Sequence, residues 1–189
     1  MSTEQLLFIP VILGTAREGR RSEHAARFVF EELKKREGIE TELIDVREHR
    51  LPATDDTGET ETARNILPTL ERADGFIVVS PEYNHGYPGE LKMFLDMSDG
   101  QYAKKPIAIC GVSEGAVGGA RMMEQLRNVI LDLGATPILA AVYFATVEKL
   151  FNEEGEIQDD SYRDRVSKMF DSLLWYTKVL KAGRERESE

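Results

Sequence analysis

The chain has 189 residues, 41% of them hydrophobic, which suits one domain able to bury a core. A formal net charge of −10 disfavours nucleic acid and anionic membrane surfaces as main partners, because both need a basic face. The single cysteine, Cys110, excludes an intrachain disulfide, and neither a basic leader region nor an apolar run of membrane-spanning length is visible. We therefore expect a cytoplasmic protein.

Apolar runs alternate with amphipathic stretches along the chain. The runs predict strands at residues 6–13, 40–46, 75–80, 106–111 and 136–144, and the stretches predict helices at 22–37, 61–73, 89–98, 118–133 and 161–181. Four of the runs are nearly continuous in apolar residues, as in strands covered on both faces, and the alternation implies right-handed crossovers. The predicted fold is a three-layer α/β/α sandwich around a five-stranded parallel sheet.

The domain prediction is one unit over residues 1–182, followed by a frayed charged tail at 183–189. The polar stretch at 53–60 is expected to form a surface loop. Pro10 cannot donate to a ladder in a central strand, so we expect the first strand to start there. In an open parallel sheet, ligands bind beyond the carboxyl ends of the strands where the strand order reverses. The loops after the first, third and fourth strands are therefore the candidates for function.

The first of these loops, G-T-A-R-E-G-R-R-S at residues 14–22, has the features of an anion site. Ser22 is expected to cap the next helix, whose start offers free backbone N–H groups and the positive end of a dipole. Thr15 adds a hydroxyl, and three cations follow: Arg17, Arg20 and Arg21. On this loop alone, anion binding and pairing of the arginines with surface carboxylates are equally consistent.

A dinucleotide site is the alternative for this loop. Gly14 and Gly19 stand five apart, as the outer glycines of G-x-G-x-x-G do, and Asp45 ends the second strand where a ribose-binding acid would. However, Ala16 replaces the middle glycine and hinders the approach of a pyrophosphate, and the G-K-[ST] of a P-loop is absent. Hydroxyls and arginines at a helix start favour a phosphomonoester.

The loop after the third strand, S-P-E-Y-N-H-G-Y-P-G at residues 80–89, is rich in rigid and aromatic residues. Two prolines fix the backbone on either side of Glu82, Tyr83 and Asn84, so we expect these three residues to present a run of backbone N–H groups. Tyr83 or Tyr87 can lie against a planar ring. An aromatic heterocycle joined to a phosphate by a flexible chain would bridge the two loops, and FMN has that shape.

Together these motifs resemble those of the NADPH-dependent FMN reductase family of the flavodoxin-like fold, which includes azoreductases and quinone and chromate reductases. The resemblance runs from G-T-A-R-E-G-R-R-S through S-P-E-Y-N-H-G-Y-P-G-E-L-K-M-F-L-D to G-V-S-E-G-A-V-G-G-A-R-M-M-E-Q-L-R and ends near residue 135. It implies an FMN-dependent oxidoreductase that transfers hydride from NADPH or NADH to bound FMN. The electrons then pass to an acceptor such as free flavin, quinone, azo compound or metal oxyanion.

The resemblance also implies roles for individual residues. It assigns the FMN phosphate to Thr15, Arg17 and Ser22, with Arg20 as a helper. One side of the isoalloxazine is assigned, largely through backbone groups, to Pro81, Glu82, Tyr83 and Asn84. The other side is assigned to Ser113, Glu114 and Gly115. A homodimer or homotetramer is implied, with the helix that starts near Leu91 at the interface. Met93 and Met97 stand where family members often have Asn and Trp, so we expect this interface to differ in detail.

No acid–base residue and no metal is predicted, because the flavin supplies the redox chemistry. His85 lies within the loop at residues 80–89, which we call the ring loop, and is interpreted as a loop residue bonded to backbone or to a partner subunit. His24 and His49 are too scattered to join it in a metal site. We interpret Cys110, inside an apolar run, as a buried hydrophobe rather than a nucleophile.

Two other functional classes share this architecture. A receiver domain requires acidic residues at the ends of the first and third strands, where this chain has Gly14-Thr15 and Ser80-Pro81. A non-catalytic FMN-binding electron carrier or redox sensor would keep both loops, and the sequence leaves it open. Steady turnover of NADPH distinguishes it from a reductase.

Overall fold

A parallel five-stranded sheet forms the centre of the molecule in a computed structural model that describes residues 6–51, 58–98 and 100–187. In chain order its strands are β2 (Val11–Leu13), β4 (Leu43–Asp45), β5 (Phe76–Pro81), β6 (Pro106–Val112) and β7 (Thr136–Phe144). Their order across the sheet is β4-β2-β5-β6-β7. The predicted five-stranded parallel sheet is confirmed, and the strand order reverses between β2 and β5.

Helices cover both faces of this sheet. They are α1 (Ser22–Lys34), α2 (Glu61–Arg72), α3 (Gly89–Asp96), α4 (Ala120–Asp132), α5 (Val147–Leu150) and α6 (Ser161–Glu187). Every residue of β5 and β6 is buried. Alternate residues of β5 face opposite layers: Ile77 and Val79 join the core beneath α1 and α6, whereas Phe76 and Val78 join the core beneath α2, α3 and α4. This two-sided burial explains the continuous apolar runs of the central strands.

The first predicted strand is divided at Pro10. Its second part, β2, starts at Val11, as expected from the missing N–H of Pro10, whose carbonyl accepts from the Ile77 N–H at 3.0 Å. Its first part, β1 (Leu7–Phe8), pairs in parallel with β3 (Ile39–Glu40). On the other side of this strand pairing continues across the proline, because the Ile9 N–H donates to the Glu40 carbonyl and the Val11 N–H to the Glu42 carbonyl, both at 2.9 Å.

The C-terminal segment differs from its prediction. Residues 183–187 are the last turn of α6 rather than part of a frayed tail, because α6 is anchored near its end. Arg184 Nη1 donates to the Lys104 carbonyl at 2.7 Å, and Lys104 forms an ion pair with Glu187. Residues 188 and 189, like residues 52–57 of the predicted polar loop region, lie outside the described residues.

Helix α5 and the start of α4 also differ from the prediction. The four-residue helix α5 is too short to show helical periodicity in the sequence. Helix α4 starts at Ala120 rather than at residue 118, because Gly118 and Gly119 have φ values of +59° and +85°. Within the described ranges, no helix combines the length and the apolar character needed to span a bilayer.

Candidate functional site

A cavity of about 440 Å³ opens at the carboxyl ends of β2, β5 and β6. Its wall comes from residues 17–22, from residues 81–83 and from the loop after β6 (residues 113–119), which we call the β6 loop. Arg121 at the start of α4 and Val147 of α5 complete it. This is the position expected for a ligand site, since the strand order reverses between β2 and β5. Nine of the eleven predicted site residues line it, all except Thr15 and Asn84.

Ser22 is the first residue of α1 and not its cap, which corrects the sequence prediction. The N-cap is Arg21, with φ −77° and ψ −19°, and its side chain makes no capping hydrogen bond. The Ser22 hydroxyl is buried in the cavity wall and has no hydrogen-bond partner among the described residues. A buried unsatisfied hydroxyl costs on the order of 1–3 kcal/mol, so this atom is where a bound acceptor would be most stabilising. The neighbouring free N–H groups of the helix start favour an anion.

The three arginines of the first loop have different surroundings. Arg21 lines the cavity, with Nη2 at 2.9 Å from Glu148 Oε1 and Nε at 3.9 Å from Glu114 Oε1. Arg17 makes no ion pair with any described residue, and its guanidinium carbon lies 5.4 Å from the centre of the Tyr83 ring. Arg17 is therefore the cation of this loop that is available to a ligand.

Arg20 is buried and its guanidinium is used within the fold. Nη1 donates to Asp45 Oδ1 at 2.7 Å and also to the Thr15 carbonyl, Nη2 pairs with Asp45 Oδ2, and Nε donates to Glu23 Oε2 at 3.3 Å. These contacts join the first loop to the end of β4. They also occupy Asp45, which would have been the ribose-binding acid of a dinucleotide site. The structure thus favours the phosphomonoester interpretation of the loop.

The same contacts determine the ionisation of Asp45. Burial alone would raise its pKa, but hydrogen bonds from Arg20 and from the Arg47 N–H, at 2.9 Å, outweigh burial and lower the pKa below the ordinary value of 3.8. Because the unfolded chain takes up this proton at a higher pH than the folded protein does, protonation favours unfolding. The stabilisation is complete above pH 3.8 and is lost as the pH falls through the lowered pKa.

We therefore expect the free energy of unfolding to fall as the pH is lowered below 3.8, with a shallower slope in Asp45→Asn. The measurement is urea unfolding at a series of acidic pH values. Asp132→Asn, at an exposed residue without an ion pair among the described residues, is the matched control and should keep the wild-type slope. A wild-type slope in Asp45→Asn would show that the lowered pKa of Asp45 is not the source of this pH dependence.

The ring loop forms a tight turn in which most of the N–H groups expected to face a ligand are hydrogen-bonded within the fold. The N–H of Glu82 donates to the Val112 carbonyl, and Tyr83 and Gly86 exchange two hydrogen bonds, all at 2.9 Å. The prediction of a run of free N–H groups is therefore wrong for Glu82 and Tyr83. The two residues at the tip, Asn84 and His85, are exposed and have φ values of +50° and +67°.

The side chain of Tyr83 joins the two loops. Its ring lines the cavity, and its hydroxyl lies 3.3 Å from Thr15 Oγ1. Thr15 is a fully buried residue of the first loop, and its Oγ1 also accepts from the Arg17 N–H at 3.3 Å. Thr15 thus orients both Tyr83 and the backbone that carries Arg17.

The side chain of Glu82 performs a function that the sequence did not reveal. Its carboxylate accepts from the backbone N–H groups of Arg121 and Met122, at 3.2 and 3.4 Å, and from Arg121 Nη1 at 3.2 Å. Glu82 therefore caps α4 from the end of β5. Arg121 also lines the cavity and was not among the predicted site residues. The sequence does hold a signal for Arg121, because this residue stands at the start of the helix that follows β6. Ser22 was singled out by the same kind of position, at the start of a helix that follows a strand.

The β6 loop closes the cavity on the side of α5. Ser113 Oγ donates to the Gly115 carbonyl at 3.0 Å, and the Ser113 N–H donates to the Phe144 carbonyl at 3.1 Å. The Thr146 and Val147 N–H groups return two bonds of 3.1 Å to the carbonyls of Gly115 and Ser113. The loop is thus held at both ends, which brings Val147 into the cavity wall.

Neither a metal centre nor a reactive thiol is found in the described part of the chain. No group of three or more His, Cys, Asp or Glu side chains is placed there to hold a metal ion. Cys110 is buried, which raises the pKa of its thiol and disfavours the thiolate. Its prediction as a buried hydrophobe is confirmed.

Residues 8–149 match the sequence profile of the NADPH-dependent FMN reductase family. The chain belongs to this family. Over 152 residues it is 30% identical to an NADH:(hydroxy)cinnamate reductase subunit of Vibrio ruber, covering 74% of this chain and 72% of that one. It is 31% identical over 145 residues to an NAD(P)H-dependent FMN reductase of Schizosaccharomyces pombe, covering 71% and 72%.

Solved structures agree on the fold. The NAD(P)H:(acceptor) oxidoreductase FerB of Paracoccus denitrificans superimposes with a TM-score of 0.79 at 20% identity, covering 92% of this chain and 98% of that one. A flavodoxin of Pseudomonas aeruginosa gives 0.56 at 17% identity, covering 88% and 99%. The predicted flavodoxin-like fold is therefore confirmed.

Family membership makes this chain an FMN-dependent oxidoreductase that uses NAD(P)H as reductant. The cavity fits FMN. A buried hydroxyl at a helix start and an arginine, neither of them paired with another side chain among the described residues, suit the phosphate, and the ring of Tyr83 suits the planar heterocycle. When bound, FMN supplies the electron-transfer chemistry, and the protein supplies its position and electrostatic surroundings. The comparisons give no support to a non-catalytic electron carrier.

Proposed function

We propose that this FMN reductase binds FMN in the cavity at the ends of β2, β5 and β6 and there uses NAD(P)H to reduce a small electron acceptor. The observation that carries the proposal is the buried Ser22 hydroxyl, which has no partner among the described residues and lies in the cavity wall at the start of α1. A phosphate oxygen would satisfy it.

The phosphate is bound by Ser22, by the first N–H groups of α1 and by Arg17. Arg17 can reach an anion without losing an ion pair, because it has none among the described residues, whereas Arg20 is already bound to Asp45 and Glu23. Arg20 and Thr15 therefore act by holding the loop in shape. A charged hydrogen bond of this kind contributes about 1.5–3 kcal/mol.

The isoalloxazine ring lies between the ring loop and the β6 loop. Pro81, Glu82 and Tyr83 form one wall, and residues 113–115 form the other. Asn84 is exposed and does not line the cavity. Its contribution is to allow the positive φ of the turn, which fixes Tyr83.

The acceptor is a small molecule that reaches an open flavin face. Relatives named for their substrates include a quinone reductase of Escherichia coli, 28% identical over 131 residues, covering 66% of this chain and 70% of that one. We infer a similar range for this chain, with free flavin, quinones, azo compounds and metal oxyanions as candidates, because an exposed reduced flavin needs little recognition to react.

The protein acts as a cytoplasmic homodimer or homotetramer, with α3 at the subunit interface. Leu91, Phe94 and Leu95 are buried within the subunit, so the partner contacts the partly exposed side of the helix, where Met93 lies. Sedimentation of the FMN-loaded protein tests this point.

The deciding experiment is the visible absorption spectrum of the FMN-loaded protein, recorded without oxygen before and after NADPH is added. We expect the bound flavin to bleach and to recover when a quinone is admitted, with many turnovers in an excess of both. Flavin that binds but does not bleach would contradict the reductase function. Failure to bind FMN would contradict the assignment of the cavity.

A further inference from the structure

Glu82 is the most buried carboxylate in the wall of the cavity. Its side chain is 8% exposed, whereas that of Glu114 is 73% exposed and Glu18 is also exposed. Its position is rigid because the Glu82 N–H is bound to the Val112 carbonyl at 2.9 Å. A negative charge is thus held close to the ligand space.

The partners of this carboxylate are the start of α4 and the Arg121 side chain. The helix lacks a local cap, since its N-cap is Gly119, where an added Cβ would lie 2.9 Å from the Val112 nitrogen. Glu82, which follows β5, caps this helix instead. A side-chain amide would serve equally well as a cap, because the N–H groups of Arg121 and Met122 need only an oxygen. Capping therefore does not explain why the group is charged.

Arg121 is the second charge of the pair. It is 54% exposed, lines the cavity, and is held by Glu82 at 3.2 Å. Both residues line the cavity and their charged groups lie 3.2 Å apart, so each acts electrostatically on a ligand bound there. A flavin gains negative charge on reduction, so its redox equilibrium responds to both.

We propose that Glu82 and Arg121 set the reduction potential of FMN bound in this cavity, with Glu82 lowering it and Arg121 raising it. The inference rests on the proposed binding of FMN and goes beyond it, because it concerns the relative stability of the two redox states. Nearby charge and hydrogen bonding are the means by which a protein tunes a bound redox cofactor.

The test is the midpoint potential of bound FMN in three single variants, measured by anaerobic redox titration against a reference dye. Glu82→Gln keeps an oxygen for the α4 N–H groups and removes the negative charge, together with the oxygen that accepts from Arg121 Nη1. We expect it to favour reduced over oxidised FMN by about tenfold, equivalent to a rise of about 30 mV for a two-electron couple. Arg121→Gln should shift the potential in the opposite direction by a smaller amount, because this side chain is 54% exposed and water screens its charge.

Glu114→Gln is the matched control, because it removes a carboxylate from the same cavity wall at an exposed position. Its shift should be less than about a third of that of Glu82→Gln, since water screens the charge. Opposite shifts in the two test variants support the proposal. Unchanged potentials, or shifts of the same sign, would overturn it, because a general disturbance of the site does not follow the sign of the charge removed.

The outcome is separable from a failure of the proposed function. If the wild-type protein does not bind FMN, the cavity assignment fails and the inference fails with it. If FMN binds and is reduced but the potentials do not move, only the inference is overturned. Should Glu82→Gln not fold, Arg121→Gln decides, because its carboxylate partner stays bound to two backbone N–H groups.

Discussion

Arg17→Ala is expected to weaken FMN binding by about 10- to 100-fold while changing riboflavin binding by less than about threefold. Arg17 has no ion pair to lose among the described residues, so its removal affects only a phosphate-bearing ligand. The magnitude corresponds to one charged hydrogen bond of about 1.5–3 kcal/mol. Both dissociation constants are measured by flavin fluorescence titration.

Arg64→Ala is the matched control for this change. Arg64 is an exposed arginine on α2 that does not line the cavity, and its removal should leave both dissociation constants unchanged. Equal losses for FMN and riboflavin in Arg17→Ala would show that Arg17 supports the Tyr83 ring, over which it lies, rather than the phosphate.

Ser22→Ala provides an independent measurement on the same phosphate site. Because the Ser22 hydroxyl has no partner among the described residues, its removal should not lower the free energy of unfolding of the ligand-free protein. FMN binding should nevertheless weaken by about 10- to 100-fold, as expected for one hydrogen bond to a charged phosphate oxygen. A destabilised ligand-free variant would mean that the hydroxyl is already used within the fold.

Gly111→Ala is expected to lower the free energy of unfolding by about 3 kcal/mol, the largest stability effect of a single methyl group that we predict. A Cβ at Gly111 would lie 2.4 Å from the Gly118 carbonyl oxygen and 2.9 Å from Met123 Sδ. The Gly118 backbone cannot easily move away, because its own position is packed against Tyr143 and has a φ of +59°. The end of β6 and the start of α4 would be forced apart.

Urea unfolding of the ligand-free protein measures this effect, and Gly183→Ala is its control. Gly183 lies in α6 with no atom within 4 Å of an added Cβ, so alanine there should stabilise the protein by up to about 1 kcal/mol through its helix propensity. Opposite signs for the same chemical change are expected. A loss of less than about 1 kcal/mol in Gly111→Ala would show that the β6–α4 junction relaxes.

Much of the fold could be predicted because its signals are local. Continuous apolar runs such as those of β5 and β6 reflect burial on both faces, and each lies within a few residues of the strand that forms. The short helix α5 and the end of α6 were missed for the opposite reason. Helix α5 has too few residues to show a helical period in its apolar residues. The end of α6 depends on contacts with Lys104, some 80 residues away along the chain.

The sequence by itself determined the α/β class, the two loops proposed to bind FMN and their resemblance to FMN reductases, because motif order and spacing are properties of the chain. Only the tertiary structure distinguished the loop arginines: Arg20 is paired with Asp45 of β4, Arg21 with Glu148 of α5, and Arg17 is left for a ligand. It also placed Glu82 against Arg121. These ion pairs join residues separated by 25 to 127 positions, and the folded chain alone brings them together.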